Sequence, residues 1–347
     1  MPYILWPFWN PQQHRLRLLW RLIAFALVFM ASLLLLGAVI GFALASAGRL
    51  PGPESAADLT QAAVPMMFMT LVATWFSTWV AGRIIDRRPF ADYGFALDRI
   101  WWRDVVFGLV LGAFLMTLIF LAEWAAGWIR IVGTFHTPEG TSFFSSMAQP
   151  VIVFLCVGIY EELLSRGYLL RNLAEGLNWR WLRDTRAVIA GWVLSSALFG
   201  LAHASNPNAT WVSTLNLALA GLFLGLGYVL TGQLAIPIGL HITWNLFQGN
   251  VFGFPVSGAT FSPVTVIAIQ QQGPEVVTGG AFGPEGGLIG IFAMVIGSAL
   301  TLWWVRSTRG AASLRAELAR YERATGDALP RSAAEIDEAT GIWEEGS

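Results

Sequence analysis

Long apolar runs alternate with short arginine-bearing breaks along most of this chain. The runs cover about residues 22–47, 62–85, 105–128, 147–170, 187–204, 211–230, 234–252 and 288–305. About 20 apolar residues in an α-helix cross the ~30 Å hydrocarbon core of a bilayer. The pattern therefore predicts an all-α, polytopic membrane protein, with about eight transmembrane helices in one bundle over residues 1–305. The first run is longer than the roughly 7–15 residues of a signal-peptide core. It reads as a retained span, although Ala43, Leu44 and Ala45 resemble a cleavage site.

The arginines set an orientation. Arg15, Arg17 and Arg21 precede the first span, and Arg83, Arg87, Arg88, Arg99 and Arg103 lie between or at the ends of the second and third. Arg171, Arg180, Arg183 and Arg186 separate the fourth from the fifth, and Arg306 and Arg309 follow the eighth. The intervening connections hold Arg49, then Arg130, then none. Positive charge collects on the cytoplasmic side, so the alternation predicts a cell-membrane protein with both termini cytoplasmic. A tight cytoplasmic turn is expected at 231–233 and an extracytoplasmic loop at 253–287. That loop is rich in Gly and Pro, reads as a short strand at 264–269, and is long enough to be a lid or disordered. In the tail, 306–347, the helical spacing of Leu314, Leu318 and Tyr321 predicts a short cytoplasmic helix, with the rest disordered. Tryptophans near predicted span ends, among them Trp102, Trp124, Trp211 and Trp303, suit the membrane interface. Gly37–Gly41, Gly108–Gly112 and Gly221–Gly225 carry the GxxxG spacing that lets helix backbones approach, here read as general packing.

Composition agrees with the pattern. The chain is 55% hydrophobic and 12% charged, where soluble domains carry about 25% charged residues. A net charge of −1 supplies no basic field, which argues against a nucleic-acid partner. The lone cysteine, Cys156, lies in an apolar run, can form no internal disulfide and reads as a small buried residue.

Against this background the ionisable residues inside the spans stand out, because a charge in hydrocarbon costs at least ~2.5–3.5 kcal/mol. Glu123 and Arg103 lie near span ends and read as interfacial anchors, and His14 and His136 fall outside the spans. The fourth span holds Tyr160-Glu161-Glu162-Leu163-Leu164-Ser165-Arg166. Glu162 and Arg166 are four apart and share a helix face, which reduces the cost of burying both. Glu161 lies ~100° around the helix and is freer to face a cavity. The fifth span ends with Phe199 and His203, and the seventh carries His241 and Asn245 on one face. Two histidines, two glutamates and an asparagine on three helices call for a hydrated site.

Two chemistries fit. In one, Glu161 activates a water for attack on an amide with His203 assisting, while His241 and Asn245 bond the developing oxyanion. In the other, His203, His241 and Glu161 bind zinc with a position open for water. No HExxH motif is present, so zinc ligands would have to come from separate helices, and the cofactor is either zinc or none.

The motifs EExxxR (Glu161, Glu162, Arg166), FxxxH (Phe199, His203) and HxxxN (His241, Asn245) occur in the order found in the CPBP family, which this segment resembles over roughly 147–250. That family includes the type II CAAX prenyl endopeptidases and the Abi proteins. The resemblance implies an eight-helix intramembrane endopeptidase with a protease core at about 147–250. Glu161 would be the catalytic glutamate, Glu162 and Arg166 its support, and His203, His241 and Asn245 the rest of the site. Its partners would be the lipid bilayer and a peptide or protein substrate, lipidated or otherwise membrane-bound. The competing readings are a non-enzymatic membrane adaptor or bacteriocin-immunity protein on the same scaffold, and a transporter, which the lack of an evident inverted repeat disfavours. One feature conflicts with a shared site. Counted from the same side by helical rise, His203 lies ~24 Å deep and His241 only ~12 Å.

Overall fold

The computed structural model describes residues 7–46 and 56–321. A short hairpin, β1 (Trp9–Asn10) and β2 (Arg15–Leu16), leads into α1 (Leu18–Ser46). There follow α2 (Ala56–Val80), extended by a π turn at Ala81–Asp86, then α3 (Arg99–Ala125) and strand β3 (Ile129–His136). Next, α4 (Phe143–Glu162) runs through a π segment, Leu163–Leu170, into α5 (Arg171–Leu177). After it come α6 (Thr185–Ala202), α7 (Trp211–Thr231) and α8 (Ala235–Leu246), the last extended by a π turn at Phe247–Val251. Strand β4 (Thr265–Gln271), the single turn α9 (Glu275–Thr278) and α10 (Leu288–Arg309) complete the described chain.

Seven of these helical segments are long and apolar enough to cross a membrane, which makes this a multi-pass membrane protein. The seventh expected span, the one not among these, is helical over 235–251 but measures only ~25 Å by helical rise. Its composition suits its place. Every residue from Ala235 to Trp244 is buried, so α8 is enclosed by the other helices rather than by lipid. Close approach to α3 puts it there. A methyl group on Gly108, Gly112 or Gly239 would fall within 3 Å of backbone atoms of the facing helix. Gly221 lies in the same way against the Ser196 backbone of α6 and Gly225 makes room for the Trp192 ring, whereas Gly41 faces open space. By contrast, α1 shows Leu27, Leu34, Leu35 and Phe42 outward, the surface expected beside acyl chains.

The depth conflict resolves through the length of the α4–α5 rod. It runs 35 residues, Phe143–Leu177, or about 50 Å at 1.5 Å per residue, well beyond one bilayer. Gly191 of α6 packs on Leu170 and Ala174 in its far part. Ala174 lies twelve residues beyond Glu162, and His203 lies twelve residues beyond Gly191 on the returning helix, which brings it level with the glutamates. The first half of α6 thus lies along the overhanging part of the rod.

Two expectations about segments outside the bundle change. The 253–287 loop is neither a loose lid nor disordered over its length. Its β4 pairs antiparallel with β3, Ile129 opposite Gln271 and His136 opposite Thr265. Side-chain amides fasten the remainder: Asn206 Nδ2 donates to Ser257 O at 2.9 Å, Asn216 Nδ2 to Gly286 O at 2.8 Å and Asn250 Nδ2 to Val264 O at 2.6 Å. The segment is a folded cap. Glu123 belongs to it rather than to the interface: fully buried, its Oε2 accepts from Gln271 Nε2 at 3.2 Å and so ties β4 to α3. In the tail, the chain leaves α10 through Gly310 at φ 75° and makes one 3₁₀ turn, Ala316–Ala319, instead of an α-helix. Arg315 N bonds Val229 O at 2.8 Å, and Leu318 is buried, so docking replaces helical hydrogen bonding. The expected disorder at 322–347 lies outside the described residues.

Several of the arginines that set the orientation lie in the interior. Glu175 Oε2 meets Arg15 Nη2 at 2.8 Å and Arg21 Nη1 at 3.3 Å, and its Oε1 meets Arg88 Nη2 at 2.5 Å and Arg171 Nε at 3.4 Å. Asp86 joins through Arg21 at 3.5 Å and accepts from Tyr93 Oη at 2.7 Å. The Tyr321 ring covers Arg15 at 3.5 Å. This knot joins α1, the end of α2, α5 and the tail at one end of the bundle.

Candidate active site

The site begins where α4 widens into its π segment. Glu161 and Glu162 are the last residues but one and the last of α4, and Arg166 lies inside the π segment. A π turn re-aims side chains and often marks a functional position. Arg166 Nη1 donates to Glu162 Oε1 at 2.8 Å and Nη2 to Gly221 O of α7 at 3.0 Å. Both side chains are almost wholly buried. The same Glu162 Oε1 lies 2.8 Å from His241 Nδ1. A carboxylate oxygen only accepts, so His241 Nδ1 carries the hydrogen and Nε2 faces the other way. There it meets Glu161, with Nε2 to Oε2 at 3.9 Å, too long for a direct hydrogen bond and of a size that one water or one substrate oxygen bridges. Glu161 Oε1 accepts from Tyr160 Oη at 3.3 Å, and Oε2 is buried with no hydrogen-bond partner in the protein.

His203 stands just past the end of α6. Its Nδ1 lies 2.8 Å from Phe199 O, which fixes the hydrogen on Nδ1 and leaves Nε2 uncommitted. Phe199 sets the spacing of the motif side chains. Its ring centre lies 4.8 Å from that of His203 and 6.3 Å from that of His241, and Arg166 Cζ stands 4.6 Å over it. The aromatic residue of the FxxxH motif is thus a spacer that touches both imidazoles and the guanidinium.

Glu161, His203, His241 and Asn245 line one cavity of about 460 Å³ inside the bundle. Most of the wall is apolar, from Phe154, Leu164, Leu198, Phe223, Trp244 and Met294. Glu162 and Arg166 do not reach the cavity and stand behind His241. The structure therefore brings all six sequence-singled residues together in two layers, four facing the space and two holding one of the four.

Among the described residues no group of three or more His, Cys, Asp or Glu side chains is placed to hold a metal ion. Both imidazoles are held through Nδ1, His203 by Phe199 O and His241 by Glu162.

Sequence reading missed a polar end of the cavity. Asn206, Ser257 and Glu285 also line it, and all three belong to the cap or to the α6–α7 connection. Glu285 lies in a Gly-Pro-Glu-Gly-Gly stretch. An acid among turn-forming residues reads as solvated, and only the closeness of glycines on both sides hinted at tight packing. Burial pushes its carboxyl up to about 7, with hydrogen bonds from Ser257 and Gln248 acting in the opposite direction.

Fold and cavity together define a polytopic helical membrane protein with an ionisable cluster around a chamber inside the bundle. Residues 143–247, the segment from α4 to α8, match the model of the type II CAAX prenyl endopeptidase Rce1-like family, and all six residues of the site fall within that match. The chain is also 25% identical to the uncharacterized protein YyaK of Bacillus subtilis (strain 168) over 243 residues, 66% of this chain and 76% of that protein. No solved structure matches it.

Proposed function

We propose that this protein is an intramembrane endopeptidase that hydrolyses a peptide bond with a water activated by Glu161. The observation that carries the reading is the unpartnered Glu161 Oε2 facing His241 Nε2 at 3.9 Å across the cavity wall. A water in that gap donates to the carboxylate, which takes its proton as the oxygen attacks the substrate carbonyl. His241 doubly protonated makes the set of Glu161, Glu162, Arg166 and His241 electrically neutral, which limits the cost of burying it. Its Nε2–H, with the Asn245 amide one turn along α8, then donates to the developing oxyanion. Glu161 then returns that proton to the leaving amine, while His203 Nε2, whose hydrogen is on Nδ1, accepts an N–H from the same amine. Glu162 and Arg166 touch no substrate and hold the His241 ring. No step in this scheme runs through a metal.

The substrate reading rests on the wall. Its apolar character suits a peptide bearing a bulky apolar group, such as a lipid, beside the scissile bond. Leu198 lines the cavity and is also 47% exposed on the outer face of α6, which offers a lateral route from the bilayer. With both termini cytoplasmic, the cap is extracytoplasmic.

The test is cleavage of lipidated and unlipidated reporter peptides by purified protein in nanodiscs, with metal analysis and a chelator arm. Cleavage that Glu161→Gln abolishes and chelator leaves intact is the expected result. Retained cleavage by that variant overturns the glutamate role. Stoichiometric zinc with chelator-sensitive turnover overturns the metal-free scheme. An adaptor on this scaffold would bind such peptides without cutting them.

A further inference from the structure

The endopeptidase reading leaves Glu285 unused, although it lines the same chamber. The residue is 4% exposed and sits in the 3₁₀ turn Pro284–Gly286 of the cap. Its Oε1 accepts from Ser257 N at 2.6 Å and Ser257 Oγ at 3.4 Å. Its Oε2 accepts from Gln248 Nε2, which also donates to Pro255 O at 2.5 Å. Gln248 belongs to the π turn that prolongs α8, three residues after Asn245 and seven after His241. The same rigid helix that carries two site residues is therefore tied to the cap by one carboxyl.

The backbone around Glu285 is built to bring it there. Gly283 has φ 113°, a conformation favouring glycine, and a side chain on Gly283 would strike Pro255 O. Gly290 at the start of α10 leaves room for the backbone of Pro284 and Glu285. The groups facing the carboxyl are neutral: Gln248 from α8, Ser257 and Pro255 from the cap, and the small residues at the start of α10. The titratable groups of the shared cavity are Tyr160, Glu161, His203 and His241, and Glu275 approaches Gly280 nearby. Among the described residues no Arg or His forms an ion pair with Glu285, so an ionised carboxylate there has no counter-charge.

We propose that Glu285 is a positioning residue for the cleavage reaction, coupling the cap to the helix of His241 and Asn245 and making both depend on the pH of the cap side. The inference rests on the endopeptidase reading for its kinetic consequence and on geometry alone for the coupling. Burial raises the carboxyl from its ordinary value to about 7, so the docked cap binds a proton that the undocked cap releases. Docking is accordingly fully supported below the ordinary carboxylate range. The support is lost progressively as pH rises through about 7 and is flat above it.

The experiment compares wild type with Glu285→Gln, which keeps the shape and an acceptor but cannot titrate. Hydrogen exchange of 241–251 and 255–287 in nanodiscs is followed from pH 5 to 8.5 as the wild-type to variant ratio, which cancels intrinsic exchange. Wild-type protection should fall about tenfold or more relative to the variant between pH 5 and 7.5. In parallel, wild-type kcat should fall several-fold against the variant over the same range, with KM moving less. A constant exchange ratio overturns the coupling whether or not peptide is cleaved. A changing exchange ratio with superimposable kcat profiles overturns the positioning role. Failure of both proteins to cleave at any pH counts against the endopeptidase reading, while exchange still decides the coupling.

Discussion

Glu175 and Glu161 lie on the same continuous rod and live by opposite rules. Glu175 is fully buried, and each of its oxygens meets two guanidiniums. Glu161 is 19% exposed on its side chain, takes one weak bond from Tyr160 and leaves an oxygen unpartnered beside an imidazole. Saturation with arginines makes a joint, because every lone pair is committed and nothing remains to react. A carboxylate left short of partners beside a cavity keeps its capacity to take a proton. Counting charges in a hydrophobic helix does not separate the two cases, and only their partners do.

Substitution should divide them sharply. The largest effect is expected for Glu161→Gln, a loss of about 10²–10⁴-fold in kcat, the usual contribution of a positioned base, with thermal unfolding in detergent unchanged. A variant that loses stability as much as activity would place Glu161 among the joints. Glu175→Gln should do the reverse and destabilise by about 3–5 kcal/mol, because four arginines keep a buried site without their anion. Folded yield and unfolding midpoint report this, and the surviving protein should retain near-normal kcat. Glu162→Gln lies between the two, since Glu162 is bonded like a joint yet orients His241. Misplacing the ring should lower kcat by about 10²-fold together with a fall in unfolding midpoint. The smallest effect is expected for Tyr321→Ala, which removes the ring over Arg15 and Arg88. It should cost about 0.5–1 kcal/mol and leave kcat alone.

The same contrast explains what could be read from the residues in advance. Bilayer thickness sets the length of apolar runs, so α1 to α4, α6 to α8 and α10 were visible, while the short α5 and α9 were not. Charges in hydrocarbon are costly enough that Glu161, Glu162, Arg166 and the two histidines marked themselves. Burial outside the spans leaves no such mark. Glu123 lay close enough to a span end to look interfacial, and Glu285 lay among glycines that look solvated, yet tertiary packing encloses both. The depth of His203 depended on an overhang of α4–α5 that no local pattern encodes. The tail turn showed helical spacing, but docking of Leu318 onto the bundle outweighed the few hydrogen bonds of a short helix.

Backbone meets backbone where Gly108 faces Gly239 and Gly112 faces Leu240 and Trp244, and no methyl group fits between. The wall that holds His241 and Asn245 therefore has nowhere to retreat when a bulky chain arrives. Room has to come from the opposite side, where α6 presents Leu198 at the membrane face. On the proposed activity the chamber is a vice with one fixed jaw: the anchored side keeps its geometry, and the other side sets how fast guests enter and leave.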